Sequence, residues 1–88
     1  MYIHLGQETL VKKEDIIGIF DLDNTTVSKR TRKFLTMAET VGRVINVSFE
    51  LPKSFIVCKK GKEKPIIYIS QLSTSTLLKR SEEDYEII

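Results

Sequence analysis

FIVCKKGKEKPIIYI, residues 55–69, decides the fold. Phe55 to Cys58 and Pro65 to Ile69 are apolar runs of strand length, and Lys59 to Lys64 between them is a charged turn containing Gly61. Two such runs joined by a short Gly-containing turn form an antiparallel hairpin. Upstream, Leu51-Pro52 interrupts the chain, because proline has no N–H to donate inside a sheet, so the strand restarts at Lys53 or Ser54.

Further upstream, Val44, Ile45 and Val47 begin another strand, and Gly42 is placed to end the helix before it. That helix spans about Ser28 to Val41, where Phe34, Leu35, Ala38 and Val41 recur at helical spacing and can share an inward face. Asp21 to Thr26 is rich in residues that turn the chain and cap helices, so it reads as the entry loop. Ile16-Ile17-Gly18-Ile19-Phe20 is an apolar run that can be buried on both faces. Lys12 to Asp15 is a turn, Thr9 to Val11 a short strand, and Met1 to Leu5 an alternating, half-buried strand. Downstream of the hairpin, Ser73 or Ser75 can cap a short helix carrying Leu77 and Leu78, with Lys79-Arg80 near its end. The class expected is α+β: a small antiparallel sheet, one central helix and a short C-terminal helix. Residues 1–80 are expected to be a single domain and 81–88 a polar tail.

Eighty-eight residues supply material for only one hydrophobic core. A domain of this size buries only about 60% of the surface its unfolded chain exposes, so a partner subunit would add useful stability. The formal charge of +2, from 14 basic and 12 acidic residues, is too balanced to indicate nucleic-acid binding by itself. Position says more than the sum. Basic residues crowd into Lys29-Arg30-Thr31-Arg32-Lys33 and Lys59-Lys60-Gly61-Lys62, and acidic ones gather at Glu14-Asp15, Asp21/Asp23 and Glu82-Glu83-Asp84. A lone cysteine, Cys58, excludes an intrachain disulfide and fits a reducing, cytoplasmic setting. No run approaches the length of a membrane span, and Met1 to Gly6 has neither a basic leader nor a long apolar core, so no membrane association is expected.

Ile19-Phe20-Asp21-Leu22-Asp23-Asn24-Thr25 resembles the first motif of haloacid dehalogenase-type phosphatases, in which one aspartate attacks phosphorus and a second handles the proton. That chemistry also needs a downstream lysine, further carboxylates and a parallel sheet of well over a hundred residues, for which this chain has no room. A strand running into a helix cap produces the same letters. His4 has no nearby nucleophile or ligand set and reads as a strand surface residue, while Cys58 reads as a small packed side chain. The four glycines are dispersed, so there is no phosphate-cradling loop. No catalytic residue, metal site, cofactor or small-molecule substrate is expected.

Two basic groups can contact nucleic-acid phosphates: Lys29, Arg30, Arg32 and Lys33 on the helix, and Lys53, Lys59, Lys60, Lys62 and Lys64 around the hairpin. Each can equally be a solvated face or a solubilising turn.

Four ordered blocks carry a family resemblance: Met1-Tyr2-Ile3-His4-Leu5-Gly6; Asp15 to Asp21; Leu51-Pro52-Lys53-Ser54-Phe55-Ile56-Val57; and Tyr68 to Arg80. Together they resemble the RemA/RemB family of bacterial extracellular-matrix regulators. The resemblance implies a fold similar to LytTR-type DNA-binding domains and ring-like homo-oligomers that bind DNA upstream of biofilm-matrix operons. A ring multiplies modest phosphate contacts along a bent duplex. RemA-like proteins place an Arg before the strand matching Ile16–Phe20 and an Arg pair before the strand matching Phe55–Cys58. Here Asp15 and Glu50-Leu51 stand near those positions and only Lys53 keeps the charge, so Lys53, Arg43 or the helix cluster would have to substitute. Two functions follow as expectations: a DNA-binding transcriptional regulator, or an interaction module acting through a RemA-like partner.

Overall fold

A computed structural model describes residues 1–22 and 29–82. In chain order the strands are β1 (Tyr2–Gly6), β2 (Thr9–Lys12), β3 (Ile16–Asp21), β4 (Val44–Asn46), β5 (Ser54–Cys58) and β6 (Ile66–Ser70). Helix α1 (Lys29–Thr40) lies between β3 and β4, and helix α2 (Thr74–Glu82) follows β6. The class is α+β. The expected turn before β3 is a short 3-10 helix, Lys13–Asp15.

Among the described residues the strands form a two-stranded sheet, β1-β2, and a four-stranded sheet in the order β3-β5-β6-β4. The hairpin read from residues 55–69 is present, with Phe55 opposite Ile69 and Val57 opposite Ile67. β3 lies antiparallel on the other side of β5, with Phe20 opposite Phe55. β4, however, runs parallel to β6, so this sheet is mixed and not wholly antiparallel. The cause is α1: a helical crossover returns the chain to the end where β3 began, so β4 starts in the same direction as β3. The β5-β6 hairpin then occupies the space between those two strands.

Central placement buries β5 at every residue. Two-faced burial was expected of Ile16–Phe20, but β3 is an edge strand, and Ile17 is 62% and Phe20 46% exposed. One sheet face, through Ile56, Cys58, Ile16, Ile19 and Tyr68, packs on Ile3, Leu5 and Val11 of the small sheet and on Leu77 of α2. The other, through Phe55, Val57, Ile67 and Ile69, receives Leu35 and Ala38 of α1. The chain is therefore layered on both sides of its main sheet.

The inward face expected for α1 is only half right. Leu35 and Ala38 pack inward, whereas Phe34 and Val41 are exposed along with Met37. At about 100° per residue, 34, 37 and 41 form a stripe beside the one carrying 35 and 38, and the narrow helix-sheet contact covers just one of them. Gly42 ends the helix as expected. At φ +74° it lets its own N–H reach the Glu39 carbonyl (3.0 Å) and the Arg43 N–H reach the Ala38 carbonyl (2.8 Å), a Schellman closure. Ser28, Val27 and the Asp23–Thr26 part of the entry loop lie outside the described residues.

Ser73 caps α2, its Oγ accepting the Thr76 N–H at 3.2 Å. The Arg80 guanidinium donates to the His4 carbonyl at 2.8 Å, fastening α2 to β1. Two fully buried serines complete the joint. Ser54 Oγ donates to the Leu72 carbonyl (2.8 Å), and Ser70 Oγ donates to the Leu5 carbonyl (2.6 Å) while accepting the Leu72 N–H (3.0 Å). α2 runs through Glu82, two residues beyond Arg80, and residues 83–88 lie outside the described residues.

Candidate nucleic-acid interface

The topology gathers charge at one end of the main sheet. β5 leaves there at Cys58, β6 enters at Ile66, and β3 and β4 both start there. Lys59, Lys60, Lys62 and Lys64 therefore converge on that end, with Arg43 just before β4. The small sheet adds Lys12, which stands opposite Tyr2 in the β1-β2 register. Lys12, Lys59, Lys60 and Lys64 border a cleft of about 360 Å³ whose walls also include Tyr2 and Tyr68. Among the described residues no carboxylate lies within ion-pairing distance of these lysines. The ion pair found there joins the Met1 amino group to Glu14 at 3.5 Å.

The basic residues singled out from sequence thus fall into three places. Arg43, Lys59 and Lys60 share the lysine-rich end, where Arg43 is half-buried and donates from Nη1 to the Lys64 carbonyl at 3.1 Å, bracing the hairpin turn. Lys53 is exposed at the opposite end, its N–H bonded to the Ser70 carbonyl and its carbonyl accepting the Leu22 N–H. Lys29, Arg30, Arg32 and Lys33 are exposed at the start of α1. Sequence reasoning missed Lys12, because nothing in its local pattern says which sheet end it will border. Asp15 adjoins the cluster, its backbone carbonyl accepting the Lys59 N–H at 2.8 Å, whereas Glu50 is exposed in the segment before β5.

Burial, with the Asp15 carboxylate as a second cause, pushes the Cys58 thiol from its ordinary 9.0 up to about 11. Burial likewise raises the Tyr68 phenol, with smaller contributions from Cys58 and Asp15. Cys58 is therefore a neutral, packed thiol at physiological pH, as expected from its apolar surroundings. Among the described residues no group of His, Cys, Asp and Glu is arranged to hold a metal ion. Asp21 ends β3, and Asp23, its partner in the phosphatase-like motif, lies outside the described residues. No described helix is long and apolar enough to cross a membrane.

A second surface feature lies between α1 and the outer edge of β3. Ile17, Phe20, Phe34, Phe55 and Val57 line an apolar groove of about 350 Å³ with Arg30 on its border. Phe20 stacks on Phe55 with ring centroids 4.8 Å apart and planes 15° from parallel. The outward stripe of Phe34, Met37 and Val41 extends this apolar surface along the helix.

The fold and its lysine-lined end define a small α+β domain with one basic end. Residues 2–80 match the family described as RemA-like, Extracellular matrix regulatory protein A-like. The chain is also 38% identical over 87 residues to Extracellular matrix regulatory protein B of Bacillus subtilis (strain 168), covering 99% of this chain and 98% of that relative. The chain belongs to the RemA-like family, a family of regulatory proteins.

Proposed function

We propose that this chain is a cytoplasmic transcriptional regulator of extracellular-matrix, or biofilm, genes, of the RemB branch, that binds DNA as a ring-like homo-oligomer mainly through phosphate contacts. The family relationship over residues 2–80 supports the regulatory role. The observation that carries the phosphate reading is the convergence of Lys12, Lys59, Lys60 and Lys64, none of them ion-paired among the described residues. Unpaired ammonium groups gain from neutralising phosphates because condensed counterions are released. Lys53 and the start of α1 are further contacts in this reading, reached from neighbouring subunits of the ring. The LytTR-type likeness is part of the same proposal.

The apolar groove and the Phe34–Met37–Val41 stripe, beside the edge of β3 that pairs with no other described strand, are the surface proposed for the neighbouring subunit. A second copy is the occupant because a domain this small leaves much of its apolar surface uncovered when alone. Met37→Asp should shift the protein to monomer in sedimentation.

The alternative is an interaction module that works through a RemA-like partner without touching DNA. Asp15, beside Lys59, favours it, since a carboxylate repels phosphate. Retention on duplex DNA across a salt series separates the two. Direct binding should fall by about 0.9 log unit per phosphate contact per log unit of salt, and Lys60→Glu, Lys53→Glu or Lys29→Glu should weaken it. No retention at low ionic strength would refute the DNA reading in favour of the partner.

A further inference from the structure

The geometry points to a second, smaller ligand: we infer that the cleft lined by Tyr2 of β1 and Tyr68 of β6 binds a nucleoside monophosphate whose base carries an exocyclic amino group, phosphate on the lysine rim and base against the tyrosine rings. This inference is separate from the DNA reading in its use of the tyrosine and apolar wall, although the two share all four rim lysines, Lys12, Lys59, Lys60 and Lys64. The cleft holds about 360 Å³, within the roughly 300–1,000 Å³ of small-molecule sites. Its wall combines chemistries that a DNA backbone would not need. Leu10, Val11 and Ile66 add apolar surface beside the two rings, and the charged groups lie around them.

Charge narrows the ligand. The rim brings four lysines against two carboxylates, Asp15 and Glu63, which leaves an excess of two positive charges (4 − 2). A phosphate monoester carries about −1.5 to −2 near neutral pH and so matches that excess, whereas each backbone diester of DNA supplies a single negative charge. Crowded ammonium groups repel one another, and a dianion relieves that repulsion. Stacking of a base on tyrosine is tolerant of base identity and adds what inorganic phosphate cannot.

Asp15 orients the base. The half-buried Asp15 lines the same cleft as Cys58 and Tyr68, and its carboxylate raises the pKa of both. An ionised carboxylate only accepts hydrogen bonds, so it favours a base with an exocyclic amino group over uracil, whose one base N–H is flanked by two carbonyl oxygens that repel it.

The test is a series of amide chemical-shift titrations of the intact chain with adenosine monophosphate, adenosine, inorganic phosphate and uridine monophosphate. Adenosine monophosphate should shift the amides of Lys12, Lys59 and Lys60 saturably and bind at least about tenfold more tightly than the other three. Tyr2→Ala and Lys60→Glu, both at exposed positions, should each weaken it about tenfold with the remaining spectrum unchanged. Equal binding of inorganic phosphate or of uridine monophosphate, unchanged affinity in Tyr2→Ala, or no shift at millimolar nucleotide would overturn the inference. Tyr2→Ala should keep its duplex DNA retention while its nucleotide affinity falls. Nucleotide binding by a protein that never retains DNA would refute the DNA reading alone.

Discussion

Replacing Ser70 by alanine should be among the most damaging small changes available to this chain. The side chain is fully buried at the end of β6, and its hydroxyl joins two separate sheets by donating to the Leu5 carbonyl of β1 at 2.6 Å. The same oxygen accepts the Leu72 N–H at 3.0 Å, which fixes the exit from β6 toward α2. Alanine removes both bonds without adding bulk, so no steric clash confuses the measurement. At about 1 kcal/mol net per hydrogen bond the loss is about 2 kcal/mol, rising toward ~4 if both freed backbone groups stay dry and unpaired. For a domain of this size, 2 kcal/mol lowers the melting midpoint by roughly 8–16 °C. Thermal and urea unfolding followed by circular dichroism measure it directly. Ser81→Ala is the control, because the Ser81 hydroxyl donates to the Leu78 carbonyl in an exposed position, and its loss should stay within about 0.5 kcal/mol. A Ser70→Ala protein as stable as the control would refute the claim that this hydroxyl couples the sheets.

Leu77→Ala should cost about 2–5 kcal/mol in the same urea assay, since Leu77 is fully buried between α2, the small sheet and the main sheet; a cost under 1 kcal/mol would mean α2 packs loosely. Cys58 gives a pH signature. Between its ordinary 9.0 and about 11 the unfolded chain has lost the thiol proton that the folded chain retains, so stability falls as pH rises through that window and is unaffected below it. Tyr68, also raised, adds a fall of the same sign above pH 10. Urea midpoints from pH 8 to 11 should therefore decline more steeply for the native chain than for Cys58→Ala, and parallel curves would disprove the burial argument.

The parts of the fold that were legible from sequence are those set by local chemistry. Phe55–Ile69 announces its hairpin through two apolar runs and a glycine, Gly42 its helix end through tolerance of positive φ, and Ser73 its cap through an oxygen within reach of the Thr76 N–H. What stayed hidden depends on which elements become neighbours. Ile16–Phe20 is as apolar as a central strand, yet it lies at an edge because the later hairpin took the middle. Phe34 and Val41 look as much like core residues from their spacing as Leu35 and Ala38, and only the placement of α1 decides that the second pair alone packs inward. The basic end was partly visible in Lys59 to Lys64, but Lys12 and Tyr2 join it through the docking of the small sheet, for which no periodicity gives a signal.

The strand order β3-β5-β6-β4 has a consequence for how the chain is made. A ribosome delivers both borders of the main sheet before it delivers the interior, so β3 and β4 lack their described strand partners until residues 54–70 emerge. Pairing so distant in sequence is slow to nucleate, and the nascent segment must wait with Ile19 and Val44 lacking the β5 and β6 side chains they pack on. Newly synthesised copies are thus most exposed to mispairing just before synthesis of the hairpin finishes, and its arrival locks both borders in one step.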